Sequence, residues 1–270
     1  KKLAKDIRGF DKGVRDWNLF KGLETTLKNM MTSLRAIGSL QNPAIRERHW
    51  DQLVMATKVH FIMTEDTIFA DLLKLNLHKY EDEVHNIVDR ACKELGMEKL
   101  LKELNSQWND MHFSKEVHTR TNCALLRASE DMIELLEENQ VQLQNMMTSK
   151  FIGHFLQEIS KWQKVLGVVD IVTTLLMDAQ RMWCHLESIF IGSDDIRMQL
   201  PRESEIFDEA NHQFQELMKG MSSTSNVISA TQTEGLAERL ELIQSKLSTC
   251  EKALTDYLET KRLLFPRFYF

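Results

Sequence analysis

The chain has 270 residues, 43% hydrophobic and 27% charged, with a net charge of −6 at pH 7. That is the composition of a globular protein, and the acidic balance argues against a nucleic-acid domain, which needs a basic footprint. Gly (10) and Pro (3) are scarce beside 14 Met, and since these two residues penalise a helix interior most, the composition favours helix.

Taken in chain order, apolar residues recur at helical spacing almost everywhere. Lys1 to Lys12 is charged and mixed, so no secretory signal is expected there. Val14, Trp17, Phe20, Leu27, Met30, Leu34 and Ile37 form a first helical stripe. Asn42-Pro43 reads as a helix start, with Asn as N-cap and Pro at the first helical position. Val84, Ile87, Ala91 and Leu95, then Leu100, Leu104, Trp108 and Met111, read as a helix pair with Gly96 as C-cap or kink between them. Residues 113–127 alternate more than they wind, and they are the one interior candidate for a short β-hairpin.

Ser129 then predicts an N-cap, with Glu130 and Asp131 in a first turn that favours negative charge, for a helix running to about Met147. The next stripe is the longest: Phe155, Ile159, Trp162, Leu166, Val169, Val172, Leu176, Ala179, Trp183, Leu186 and Phe190. Unbroken, that helix would span ~55 Å at 1.5 Å per residue, with Gly167 as a possible kink. Gly192 to Asp195 is a stop and turn, and Pro201 restarts a helix. Residues 220–233 read as the clearest loop, closing on a capping box at Thr231-x-x-Glu234. Leu236, Leu240, Ile243, Leu247, Cys250, Leu254, Tyr257, Lys261 and Leu264 then keep the heptad spacing of a packed seam. The fold class is therefore all-α: an elongated arm of successive antiparallel helical bundles, with N-terminal bundles over 1–147, a C-terminal bundle over 148–270 and one short β-hairpin near 113–127.

Motifs for chemistry are missing. There is no G-x-x-x-x-G-K-[ST] phosphate loop and no G-x-G-x-x-G, no H-E-x-x-H, and no helical His pair at i, i+4. Cys92, Cys123, Cys184 and Cys250 are far apart with no C-x-x-C, which predicts free, mostly buried thiols in a reducing compartment. Cys184 and His185 are adjacent and so point to different helix faces, a poor geometry for a thiolate–imidazole pair. The expectation is no catalytic residue, no cofactor-binding residue and no metal ligand. No window approaches the ~18 uninterrupted apolar residues of a membrane span. Each of the five tryptophans, Trp17, Trp50, Trp108, Trp162 and Trp183, lies on an apolar stripe; the expectation is packing in a core or seam, and the alternative is that one of them anchors a docking surface.

The chain closes on Phe265-Pro266-Arg267-Phe268-Tyr269-Phe270, five bulky apolar or cyclic side chains around one arginine. Burying one such side chain contributes roughly 1.5–3 kcal/mol, so this run expects a partner surface, and the sequence reads as a segment of something larger. Pro266 predicts that the run leaves the last helix there and turns extended.

Several long motifs carry a resemblance. The run from Asp178 through Gln180, Trp183, Leu186, Glu187 and Phe190, then Ser193-Asp194-Asp195-Ile196 and Gln199-Leu200-Pro201, is similar to the signature of the linker of dynein heavy chains. So is Tyr257 to Arg262 running into Phe265–Phe270. Arg48-His49-Trp50 followed by Leu53 resembles the family's upstream R-H-W element. Thr148-Ser149-Lys150-Phe151 sits where the family has a K-S-P-[FY] turn, here without its Pro. Ile189 to Ser193 and Cys250 to Leu254 look most like axonemal outer-arm heavy chains.

The resemblance implies a helical mechanical lever that hydrolyses nothing itself. It would lie across the ring of AAA modules of the same heavy chain and couple ATP-driven changes of that ring to displacement of the tail. Phe265 to Phe270 would be the junction to the ring. ATP and Mg are implied for the ring alone. Implied partners are that ring and the other chains of a microtubule motor in a ciliary or flagellar axoneme, with no nucleic acid and no membrane. Either the turn at 148–153 or the segment 113–127 would be the hinge. Helical periodicity alone also suits a scaffold or adaptor with no motor role.

Overall fold

The structure is a computed structural model that describes residues 5–7, 9, 11–59, 61, 63, 67–224 and 226–264. The expected ring junction, Phe265 to Phe270, lies outside the described residues. Among the described residues the chain is mostly helical, with one two-stranded antiparallel sheet, as its composition and periodicity predict. It divides into two compact units, Lys1–Leu100 and Leu101–Phe270. The sequence-based division at residue 147 follows a turn, whereas this one follows packing.

The first unit carries α1 (Lys12–Arg15), α2 (Asn18–Leu40), α3 (Glu47–Thr57), α4 (Phe69–Lys74) and the beginning of α5 (Glu81–Asn109). Its core gathers Ile37 and Leu40 of α2, Leu53 of α3, Leu75 and Leu77 of the turn after α4, and Val84 and Ile87 of α5. Only the last two turns of α2 reach that core, through Ser33, Ala36, Ile37 and Leu40. Asn42-Pro43 does not start a helix: Asn42 Oδ1 accepts the Ala44 N–H at 2.9 Å, closing a turn two residues on. The helix begins later, at Glu47, where His49 Nδ1 accepts the Arg46 N–H at 3.0 Å. Gly96 neither caps nor ends α5, which runs through it to Asn109. One glycine costs a helix interior only ~1 kcal/mol relative to Ala, less than the flanking buried side chains Ala91 and Met97 return.

The second unit carries the end of α5, the strands β1 (Ser114–Val117) and β2 (Ala124–Arg127), then α6 (Glu130–Met147), α7 (Leu156–Phe190), α8 (Asp194–Gln199), α9 (Pro201–Ser223), α10 (Val227–Thr231) and α11 (Leu236–Leu264). The hairpin falls where alternation predicts it, with Ser114 opposite Arg127 and Val117 opposite Ala124. Ser129 caps α6, its side chain accepting from the Met132 N–H. α7 continues through Gly167 as one 35-residue helix. α6 and α7 run antiparallel, as side-chain bonds from Gln140 to Asp170 and from Gln163 to Gln144 mark. α9 and α11 are likewise antiparallel, tied by Lys246 to Gln213 and by the Cys250 thiol to the Glu203 carbonyl. Along α11 the seam holds from Leu236 to Leu254, all buried, and then ends: Tyr257 is half-buried and Lys261 exposed.

Two expectations near residue 230 are overturned. Residues 220–233 are mostly helix: α9 reaches Ser223 and α10 occupies Val227–Thr231. The Ser222, Ser223 and Thr231 hydroxyls each donate to a carbonyl three or four residues back, which lets these polar residues stay helical. Thr231 therefore lies inside α10 rather than capping α11, and Gly235, with φ of 71°, supplies the turn before Leu236. Asn226 does the capping. Its Oδ1 accepts from the Ser229 N–H, and its amide group donates to the carbonyls of Trp108, Asn109 and Met111.

Candidate functional site

The buried face of α7 in its last three turns is built from Ala179, Gln180, Trp183, Leu186, Glu187 and Phe190. Steps of three and four put these residues on one side of the helix. Trp183 stacks on Phe214 of α9 with ring centroids 4.8 Å apart, and its Nε1–H donates to Asn211 Oδ1 at 2.9 Å. Phe190 stacks on Phe207 at 5.1 Å. Such pairs contribute about 0.5–1.5 kcal/mol beyond area burial, so this stretch fastens α9 to α7. Gly192 follows because a Cβ there would collide with the Ser188 carbonyl oxygen.

Polar members of the same face hold the hairpin. Gln180 behaves like a backbone partner: its Oε1 accepts the Leu126 N–H at 2.9 Å and its Nε2 donates to the Leu126 carbonyl at 2.7 Å. Glu187 is fully buried and takes the guanidinium of Arg120, from the hairpin turn, on Oε2. Its Oε1 has no partner among the described residues. His118 closes the turn: its N–H donates to the Cys123 carbonyl, its Nδ1 lies 3.0 Å from Thr121 Oγ1, and its ring meets Trp183 edge-on at 5.0 Å. Its Nε2 is 3.9 Å from Glu187 Oε2. Asn122, with φ of 52°, takes the left-handed position that Asn tolerates.

Nearby thiols are unsuited to nucleophilic work. Burial pushes Cys123 up, with Cys184 adding to it, and pushes Cys184 up, with the Glu187 and Glu116 carboxylates adding to it. Burial likewise pushes Cys250 up to about 11. Protonated thiols neither attack nor ligate. All four cysteines are free, with Cys92 exposed rather than buried. An open cleft of about 600 Å³ separates the hairpin turn at Thr121–Ala124 from His212, Gln215 and Lys219 of α9. Among the described residues no three His, Cys, Asp or Glu side chains are grouped to hold a metal ion, and no helix is long and apolar enough to cross a membrane.

The first unit holds a second buried carboxylate. Glu94 of α5 accepts from Arg48 Nε at 2.7 Å and pairs with Arg48 Nη2 at 2.5 Å. Because His49 Nδ1 already accepts the Arg46 N–H, the ring proton belongs on Nε2. That atom lies 3.2 Å from Glu94 Oε2, a contact at ion-pair range but off the line of a hydrogen bond. Burial holds His49 below its usual 6.5 against the pull of Glu94, and Arg48 and Arg90 lower it further, so the ring is neutral at pH 7. Trp50, the third residue of the element, is half-buried against Phe61, 5.9 Å between centroids.

The signature residues thus fall into two separate groups. Arg48 and His49 join α3 to α5 through Glu94 and Trp50 packs on Phe61 and the first-unit core, while Trp183, Leu186, Glu187 and Phe190 organise α7 against the hairpin and α9. Trp162 is half-buried on α7, and Pro201 opens the first turn of α9 with its side chain exposed. Trp17 is exposed rather than packed. Glu94 and Arg120 escape a reading of the sequence because nothing local marks a charge whose partner is 46 or 67 residues away. Gln180 did leave a signal, a polar side chain on the apolar stripe three residues before Trp183.

The chain matches the family model described as dynein heavy chain, N-terminal region 2, over residues 1–270. It is 60% identical over its whole length to the ciliary dynein beta chain of Tripneustes gratilla and 57% identical to dynein axonemal heavy chain 17 of Homo sapiens. It is 44% identical to the flagellar outer arm dynein beta chain of Chlamydomonas reinhardtii. In each case it spans 6% of the relative's length.

Proposed function

This chain belongs to the dynein heavy chain family, as its N-terminal region 2, and we propose that it is the linker of an axonemal heavy chain, a lever that carries displacement and performs no chemistry. The observation that carries this reading is the match along all 270 residues to heavy chains of cilia and flagella. The packing supports it. A lever needs members that keep their shape under load, and α7 is fastened through stacked rings and a buried carboxylate. Packed cores switch between discrete arrangements rather than deform continuously, and differential contacts with a partner select between such arrangements. In this reading the AAA ring of the parent chain supplies those contacts, binds the ATP and Mg, and receives the force through Phe265 to Phe270. The hinge lies at the turn of 148–153 or at the hairpin, and the parent motor works in an axoneme with other dynein chains.

The test is a full-length heavy chain carrying Arg120→Met, which frees the hairpin turn from Glu187. Microtubule gliding should slow several-fold while basal ATP hydrolysis by the ring persists. ATP turnover by the purified 270-residue chain, or gliding at full speed when this region is deleted, would overturn the reading.

A further inference from the structure

The first half of α2 carries apolar side chains that stay exposed among the described residues of the first unit. Leu19 is 82% exposed, Leu23 50%, Met30 44% and Leu34 43%, and Trp17 just ahead of the helix is 60% exposed. At 3.6 residues per turn, Leu19, Leu23, Leu27, Met30 and Leu34 fall within an arc of ~80°. This is one continuous stripe, and it runs into the buried face at Ile37 and Leu40. A folded monomer rarely leaves so large a contiguous apolar surface in water.

The surroundings of the stripe specify what fits it. One flank is neutral and small, with Gly22, Thr26 and Asn29, so another backbone can approach closely there. Lys21, Lys28 and Arg35 recur every seventh residue along the other side. Arg35 makes a loose contact with Glu81, 3.9 Å between two well-exposed groups, which contributes little. A shallow groove of about 500 Å³ follows that side, lined by Glu24, Thr25, Leu27, Lys28, Met31 and Arg35, with Ile7 on its wall. Lys21, Lys28 and Arg35 outnumber Glu24 along this helix, in a chain of net charge −6, and this local basic excess beside an apolar stripe calls for an aliphatic surface edged with carboxylates.

We propose that this stripe is the seat of an amphipathic helix from elsewhere in the same heavy chain, with aliphatic residues at steps of three and four and Asp or Glu along one edge. The occupant is assigned to the same polypeptide because this chain spans only 6% of its relatives' length, and a tethered segment is present at an effective concentration of order millimolar. This rests on membership of the dynein heavy chain family and not on the lever mechanism.

The experiment places a photo-crosslinking benzoylphenylalanine at Leu23 of the full-length heavy chain and maps the product by mass spectrometry. The expected product joins Leu23 to an acid-edged helical segment of the same polypeptide, and Lys28→Glu lowers its yield several-fold. A product with a second polypeptide or a second copy overturns the proposal, as does no product or a yield indifferent to Lys28→Glu. In the isolated 270-residue chain, Leu23→Ser should leave the melting temperature unchanged, and a large loss would show the stripe already covered. Because the product does not depend on the power stroke, a motor that glides normally with Arg120→Met yet yields it would lose the lever reading alone.

Discussion

Two buried glutamates invite comparison. Each sits on a long helix, and each is met by an arginine and a histidine from another element. Glu94 has both within reach on one helix, with His49 at 3.2 Å and fully buried. Glu187 has Arg120 on a turn, with Arg120 about half-exposed, His118 at 3.9 Å, and Oε1 without a partner among the described residues. The first arrangement is redundant, because a neutral histidine stands ready to take a proton if the arginine is lost. The second depends on one guanidinium at the edge of solvent. The second is therefore the weaker joint, and it lies at one of the two proposed hinge positions.

The largest difference between the two regions should come from their tryptophans. Trp183→Ala removes a fully buried ring with a stack and a hydrogen bond, and should cost about 3–5 kcal/mol in denaturant unfolding of the 270-residue chain. Trp50→Ala, half-buried against Phe61, should cost about half as much on the same scale. Equal losses would erase the distinction.

Next come the clamps. Breaking a buried pair costs about 3–5 kcal/mol, discounted to about 2 for Arg120→Met because that arginine is half-exposed. Glu187→Gln should cost less than Arg120→Met, since it strands an arginine that can reach water instead of a buried carboxylate. The reverse order would mean that the hairpin is not held by this pair.

Arg48→Met should cost about 1 kcal/mol, because His49 can pair with Glu94 in its place. Arg48 is among the causes that lower His49, so an NMR titration should find the His49 pKa higher in the variant than in the parent chain. The sign follows from the parent. His49 is depressed below 6.5 when folded, so the unfolded chain binds the extra proton, and this contribution is present above 6.5 and lost as pH falls from there through the folded value. In Arg48→Met that loss should shrink. An unchanged pKa would remove the redundancy from the comparison. Smallest of all, Ser129→Ala should cost about 1 kcal/mol or less by loss of the α6 cap.

Much of the second unit was legible in the sequence for a physical reason. Its helices are long and amphipathic, so Ile159 to Phe190 and Leu236 to Leu254 announce their buried faces by period alone. Ser129 was readable because a cap is a local bond. The failures were also local: Asn42 and Thr231 are cap residues by type, but each found a competing bond within four residues, to Ala44 N–H and the Val227 carbonyl. The clamps were illegible because Arg48 with Glu94 and Arg120 with Glu187 meet only after folding. Their arginines and histidines stood within matched motifs or beside the hairpin, but their roles required the geometry.

The most direct test of the proposed lever places one fluorophore on exposed Lys252 of α11 and another on the AAA ring that this reading assigns to the full-length heavy chain. Energy transfer between them is read with ATP bound and without nucleotide. A lever predicts two distinct distances that interchange with nucleotide state, and a several-fold slower exchange into productive gliding with Arg120→Met. One distance in both states, with gliding intact, would contradict it.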